Sequence, residues 1–113
     1  MNDEMQPAEE LQRTAFALKD LVQYNSSSIV SRIILKRPSG NVTLFAFDRG
    51  QELSEHTAPF DALVQIVEGE AEVLIGGTAI AVREGQSVLM PAHIPHGIKA
   101  TERFKMLLTM IRS

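Results

Sequence analysis

Two stretches of the chain decide its fold: Gly50–Gly69, GQELSEHTAPFDALVQIVEG, and Gly85–His96, GQSVLMPAHIPH. Each contains a short apolar run between turn-forming residues. The run in the first stretch is Ala62–Val67, and the run in the second is Ser87–Met90, which stops at Pro91. Short apolar runs bounded by glycine and proline predict β-strands.

The sequence on either side of these stretches continues the same pattern. Further strands are predicted over 29–35, 42–47, 70–75, 78–82, 97–100 and 104–111. Gly76-Gly77 is a two-residue hairpin signal, because glycine readily adopts the positive φ that such turns need. Turns recur every ~8 to 12 residues and no helical period is sustained, which predicts an antiparallel all-β sandwich or barrel. Ala15–Tyr24 is predicted as a short strand and a turn, with Phe16, Leu18 and Leu21 packed against the core.

Composition narrows the class of protein. The 113 residues suit one domain, and the absence of cysteine excludes disulfides and thiolate metal sites. The net charge is −3 with scattered Lys and Arg, so no nucleic-acid partner is expected. No apolar run approaches the ~20 residues that span a bilayer, and the acidic start Met1–Glu10 is unlike a signal peptide. We therefore expect a cytoplasmic protein without a membrane partner.

The two deciding stretches resemble the two sequence motifs of the cupin superfamily. Gly50 and His56 are separated by five residues, Gly69 falls where the first motif ends, and Gly85 precedes Pro91 and His96 at the spacing of the second. The chain is similar to small, stand-alone, mostly uncharacterised cupins. The resemblance implies a double-stranded β-helix, or jelly-roll, barrel over residues 16–113, after an irregular N-terminal tail over residues 1–15.

The resemblance also implies a metal site, but the chain departs from it at two positions. Metal-binding cupins hold a divalent ion with the two histidines of an H-x-H, a glutamate and a late histidine. Here the H-x-H reads His56-Thr57-Ala58, and Ala62 stands at the glutamate position. His56 and His96 remain, and His93 is the candidate third ligand, at a position where the family has glycine. The implied cofactor is a divalent transition metal: zinc, nickel, iron or manganese.

Asp61 is the carboxylate nearest the missing glutamate. Successive strand residues face opposite sides, so it reaches the site only if the backbone is irregular there.

A barrel of this size can enclose one small ligand in its mouth. The candidate ligand-binding residues are two polar anchors and an apolar wall: His56, His96, Phe47, Phe60, Met90 and Ile98. The leading prediction is binding of a small organic ligand, or of a weakly held divalent metal, through His56 and His96. One alternative is a cupin enzyme, metal-dependent or metal-free, of the isomerase, decarboxylase or dioxygenase type. Another is a dimeric structural or regulatory module without a working site.

Two apolar stretches of the sequence predict that the chain self-associates. Ser28–Leu35 and Phe104–Ile111 are apolar for surface strands, and an open sheet edge invites pairing. We expect a homodimer.

Overall fold

The computed structural model describes residues 9–113, which form a barrel of antiparallel strands. In chain order the strands are β1 (Ile29–Arg37), β2 (Gly40–Phe47), β3 (Glu52–His56), β4 (Phe60–Glu68), β5 (Glu70–Ile75), β6 (Thr78–Arg83), β7 (Ser87–Met90), β8 (His96–Lys99) and β9 (Phe104–Arg112). Short 3₁₀ turns lie at Glu9–Leu11 and Leu18–Asp20. The predicted tail falls partly on residues 1–8, which lie outside the described residues, as does most of the stretch compared with a signal peptide.

Two sheets face each other across the core. One has the order β1-β2-β9-β4-β7 and the other β3-β8-β5-β6. The strands pair antiparallel throughout. The predicted all-β jelly-roll barrel is thereby confirmed.

The position of β9 corrects one argument made from the sequence. β9 lies in the middle of the five-stranded sheet, and only β1, of the two apolar stretches, is an edge strand. The apolar residues of β9 are used inside the barrel, where Phe104 and Met106 are fully buried. Their hydrophobicity therefore indicates burial within the chain, and the expected homodimer needs other support.

Aromatic stacking marks the centre of the core. The rings of Phe47 on β2 and Phe104 on β9 lie 4.6 Å apart at an interplanar angle of 18°. These residues are directly opposite each other in the ladder, and neither is exposed to solvent. Alternation along β9 sends Phe104, Met106 and Leu108 inward together.

Glycines set two of the turns. Gly76 and Gly77 join β5 to β6 with φ of 55° and 84°, as the hairpin signal predicts. Gly69, between β4 and β5, has φ of 79°, and a Cβ there would lie 2.6 Å from the Arg103 carbonyl oxygen. A side chain at this second turn is therefore excluded by backbone conformation and by space.

The segment before β1 covers part of the outer face of the five-stranded sheet, the part formed by Leu44 and Ala46. Leu18, Leu21 and Val22 pack near Leu44 and Ala46 of β2. The predicted strand in this segment is wrong, because Leu18–Asp20 is a 3₁₀ turn. Leu18 and Leu21 are one 3₁₀ turn apart and therefore face the same side, which suits a segment that covers a sheet without joining it.

Phe16 also departs from its prediction. The sequence predicts that Phe16 packs against the core, but the residue is 42% exposed.

A polar cluster beside this segment ties it to the barrel. The Tyr24 hydroxyl donates to Glu68 Oε2 at 2.5 Å. The buried Lys105 donates from Nζ to the Lys19 carbonyl at 2.7 Å and lies 3.7 Å from the Glu68 carboxylate. Burial, followed by the hydrogen bond to Glu68 and its negative charge, raises the pKa of the Tyr24 hydroxyl.

The raised pKa of Tyr24 predicts how the absorbance of the protein changes at alkaline pH. This absorbance reports on Tyr24 alone, because it is the single tyrosine and the chain has no tryptophan. A folded-state pKa above the unfolded value makes the phenol stabilising below about pH 10, a contribution lost as the pH rises through the folded pKa. We expect phenolate absorbance to appear only with unfolding, followed by circular dichroism. In Glu68→Gln it should appear at lower pH. Phenolate at about pH 10 in the folded wild type would contradict the prediction.

Candidate functional site

Pairing of β3 with β8 brings two of the histidines together. His56 lies opposite His96 in the ladder, and their ring centroids are 4.5 Å apart with the rings inclined at 62°. His56 is exposed, whereas His96 is only 8% exposed. The pair therefore extends from solvent into the barrel.

An irregularity in β3 makes this arrangement possible. The register shifts between Leu53, which pairs with Ile98, and His56, which pairs with His96. Three steps along β3 thus match two steps along β8. Regular alternation would send Leu53 and His56 to opposite faces, but the shift lets both line the same cavity.

Backbone carbonyls fix the proton on each ring. His56 Nδ1 lies 2.9 Å from the Ser54 carbonyl oxygen, and His96 Nδ1 lies 3.1 Å from that of Ile94. A carbonyl oxygen only accepts, so each Nδ1 carries the hydrogen and donates it. In a neutral imidazole Nε2 then keeps its lone pair, as in metal-ligating histidines, and both histidines line one cavity.

The histidine pair opens on a cavity of about 70 Å³. Its lining residues are Leu53, His56, Ala58, Phe60, Ala62, Met90, His96, Gly97, Ile98, Leu108 and Met110. Among the described residues of this lining, the two imidazoles are the only polar side chains. The cavity is therefore an apolar pocket with two nitrogen acceptors on one wall.

Five of the six residues predicted to bind a ligand line this cavity: His56, His96, Phe60, Met90 and Ile98. The sixth does not, because Phe47 is fully buried and stacked on Phe104 in the core.

Besides Ala58 and Ala62, which occupy positions of the metal motif, four lining residues are not among the ligand-binding candidates: Leu53, Gly97, Leu108 and Met110. Whether these residues reach the cavity depends on the register of the paired strands. The spacing of residues within one stretch of sequence does not reveal that register.

Comparison with known proteins places the chain in a family. The family model for the cupin domain matches residues 43–111. The chain belongs to the cupin family. A conserved protein of unknown function from Streptococcus pyogenes is 35% identical, with a TM-score of 0.89 and coverage of 96% of this chain and 94% of that one. No curated protein matches the chain significantly.

Two more solved structures are similar to this cupin. A cupin 2 conserved barrel domain protein from Leptotrichia buccalis is 38% identical, with a TM-score of 0.83, covering 86% of this chain and 47% of that one. A cupin superfamily protein from Desulfitobacterium hafniense is 26% identical, with a TM-score of 0.85 and coverage of 90% and 94%. Over residues 9–113, no helix has the length and hydropathy needed to cross a membrane.

The metal ligands implied for cupins are incomplete in this cavity. Ala58 and Ala62, at two of the four ligand positions, both contribute to the lining. The nearby Asp61 does not replace the missing carboxylate. It is exposed, and its Oδ1 accepts a hydrogen bond of 2.9 Å from the Ala92 backbone N–H, so it supports the loop that leads to His96.

His93 is not brought to the other two histidines. It is exposed, its Nε2 lies 3.4 Å from Ser113 Oγ, and it is absent from the cavity lining. Its φ of 65° is the left-handed conformation expected where the family has glycine, so it acts as a turn residue. No three His, Cys, Asp or Glu side chains converge anywhere in residues 9–113, and the four-ligand set of metal-binding cupins does not fit this site.

Proposed function

We propose that this cupin binds a small, largely apolar organic molecule in the cavity beside His56 and His96. The observation that carries the proposal is the combination of an apolar lining with two Nε2 lone pairs fixed by backbone carbonyls. Small-ligand sites commonly combine an apolar wall with a few polar groups that set orientation.

The chemistry of the wall limits the ligand. Two nitrogen acceptors call for a hydrogen-bond donor, so the ligand carries a hydroxyl or an N–H group. The cavity of about 70 Å³ exceeds by several-fold the roughly 10–15 Å³ that one water requires. We infer a ligand of a few non-hydrogen atoms within the cavity, with room to extend past His56 into solvent.

Phenol and toluene test the proposal, because they differ by one hydroxyl donor. We expect ligand-observed NMR to show tighter binding of phenol to the wild type, by about fivefold for a hydrogen bond of ~1 kcal/mol. His56→Ala should reduce this preference. His93→Ala is the matched control, since this histidine lies outside the cavity. Equal binding of the two probes by the wild type, or no binding of either, would reject the proposal.

Weak binding of a divalent metal ion is the second candidate. It is favoured by one observation, the Nδ1–H···O=C bonds that aim two imidazoles as metal ligands. Two protein ligands leave half of a four-coordinate shell to water, so we expect low affinity. Zinc and nickel suit imidazole, whereas manganese favours oxygen ligands and non-haem iron sites commonly include the carboxylate that is missing here.

We also propose a homodimer, formed through the outer face of the five-stranded sheet. Leu35, Val42, Thr109, Leu63 and Leu89 are successive partners in the ladders and make one row across all five strands. Leu89, at the end of the row, is 66% exposed. A mostly apolar row of this kind can pack against its own copy about a twofold axis. Light scattering at micromolar concentration tests the proposal, and a monomer mass would reject it.

A further inference from the structure

Two methionines flank the position of the missing carboxylate. Ala62 on β4 pairs with Met90 on β7 and with Met110 on β9. Residues that are direct partners in a ladder point to the same face of a sheet, so both methionine side chains lie on the inner face beside the alanine methyl group. Both line the cavity that His56 and His96 also line.

The cavity therefore combines two imidazole nitrogens with two thioether sulfurs. Thioethers are soft donors that select Cu(I), while carboxylates, carbonyls and water suit the harder ions. Within residues 9–113, the side chains of this lining that are able to bind a metal ion are His56, His96, Met90 and Met110, with no carboxylate among them.

The charge of the donor groups also favours Cu(I). All four donors are neutral when the imidazoles are unprotonated, so they do not offset the charge of a buried cation. The Born cost of transferring an ion into an apolar medium rises with the square of its charge. An ion of charge +1 is therefore less costly to place in this cavity than one of charge +2.

We propose that the cavity is a Cu(I) site, with His56 and His96 as nitrogen ligands and Met90 and Met110 as sulfur ligands. This assignment rests on the proposed binding cavity and deepens it by naming a ligand class. It replaces the oxygen donor of metal-binding cupins by sulfur donors brought in from two neighbouring strands.

Competition titration tests the metal and its ligands. Purified protein comprising residues 1–113, without an affinity tag, is titrated with Cu(I) under anaerobic conditions against a chromophoric Cu(I) chelator, with Zn²⁺ and Ni²⁺ in parallel. We expect one equivalent of Cu(I), held at least tenfold more tightly than either divalent ion. X-ray absorption should show sulfur as well as nitrogen in the first coordination shell.

Methionine variants separate a ligand role from a packing role. Met90→Leu combined with Met110→Leu keeps apolar volume, because this exchange is nearly volume-conserving. We expect at least a tenfold loss of Cu(I) affinity with Zn²⁺ affinity unchanged. Met106→Leu is the matched control. It is fully buried on the inner face of β9 but does not line the cavity, so Cu(I) binding should stay at the wild-type level.

The outcomes distinguish this proposal from the broader one. Unchanged Cu(I) affinity in the double leucine variant, or no stoichiometric Cu(I) in the wild type, would overturn the copper assignment. Retained preference for phenol over toluene in the same samples would leave the ligand cavity in place. If the folded wild type neither binds Cu(I) nor prefers phenol to toluene, the cavity itself is rejected as a binding site.

Discussion

The double variant Ala58→His with Ala62→Glu is expected to bind Zn²⁺ or Mn²⁺ stoichiometrically. The two substitutions supply the missing ligands at positions that line the cavity with His56 and His96. Binding to the folded state alone stabilises it by about 2.7 kcal/mol when free metal is 100-fold above Kd. Calorimetric titration gives the affinity, and thermal unfolding with and without metal gives the stabilisation.

The variant Ala62→Glu alone separates the stabilisation by bound metal from the effect of the substitution itself. Ala62 is 3% exposed, so Ala62→Glu alone places a carboxylate in an apolar pocket and should lower the free energy of unfolding. Adding His93→Ala to the double variant should leave metal affinity unchanged, because that histidine is outside the cavity. A double variant that folds but takes up no more Zn²⁺ or Mn²⁺ than wild type would show that these positions do not converge.

Phe104→Ala should cause the largest loss of stability, about 3–5 kcal/mol, the range for removing a fully buried phenylalanine side chain. The ring is inaccessible to solvent and stacks on Phe47 at 4.6 Å, so its removal leaves a cavity between the two sheets. Urea unfolding followed by circular dichroism measures the change.

Leu89→Ala is the control for that experiment at protein concentrations where the chain is monomeric. Its side chain is 66% exposed, so we expect a change within about 0.5 kcal/mol. A loss below ~1 kcal/mol for Phe104→Ala would mean that the core relaxes around the gap, which contradicts the tight stacking of Phe104 on Phe47.

Local sequence predicts the strands and turns of this cupin because their signals are local. The pair Gly76-Gly77 marks a hairpin wherever it lies between two apolar runs, and the hairpin is found there. The short apolar runs and the spacing of Gly50, Gly69 and Gly85 predict the fold correctly.

The site is less predictable because it depends on register between distant strands. Simple alternation cannot place Leu53 and His56 on the same side, since the shift in β3 is set by pairing with β8. In the same way, nothing near Ala62 in the sequence reveals that Met90 and Met110 lie beside it. Phe47 lies outside the cavity for a related reason. Its ring is buried against Phe104, and the sequence around Phe47 does not show that this ring lies opposite.

The central position of β9 has a consequence for how the chain acquires its shape on the ribosome. Translation delivers β2 and β4 well before the strand that lies between them. Until Phe104–Arg112 emerges, the nascent chain presents two unsatisfied ladder edges, which are the surfaces that recruit other strands. The five-stranded sheet is therefore completed only after synthesis of β9, and slow elongation before that point should increase the need for chaperones.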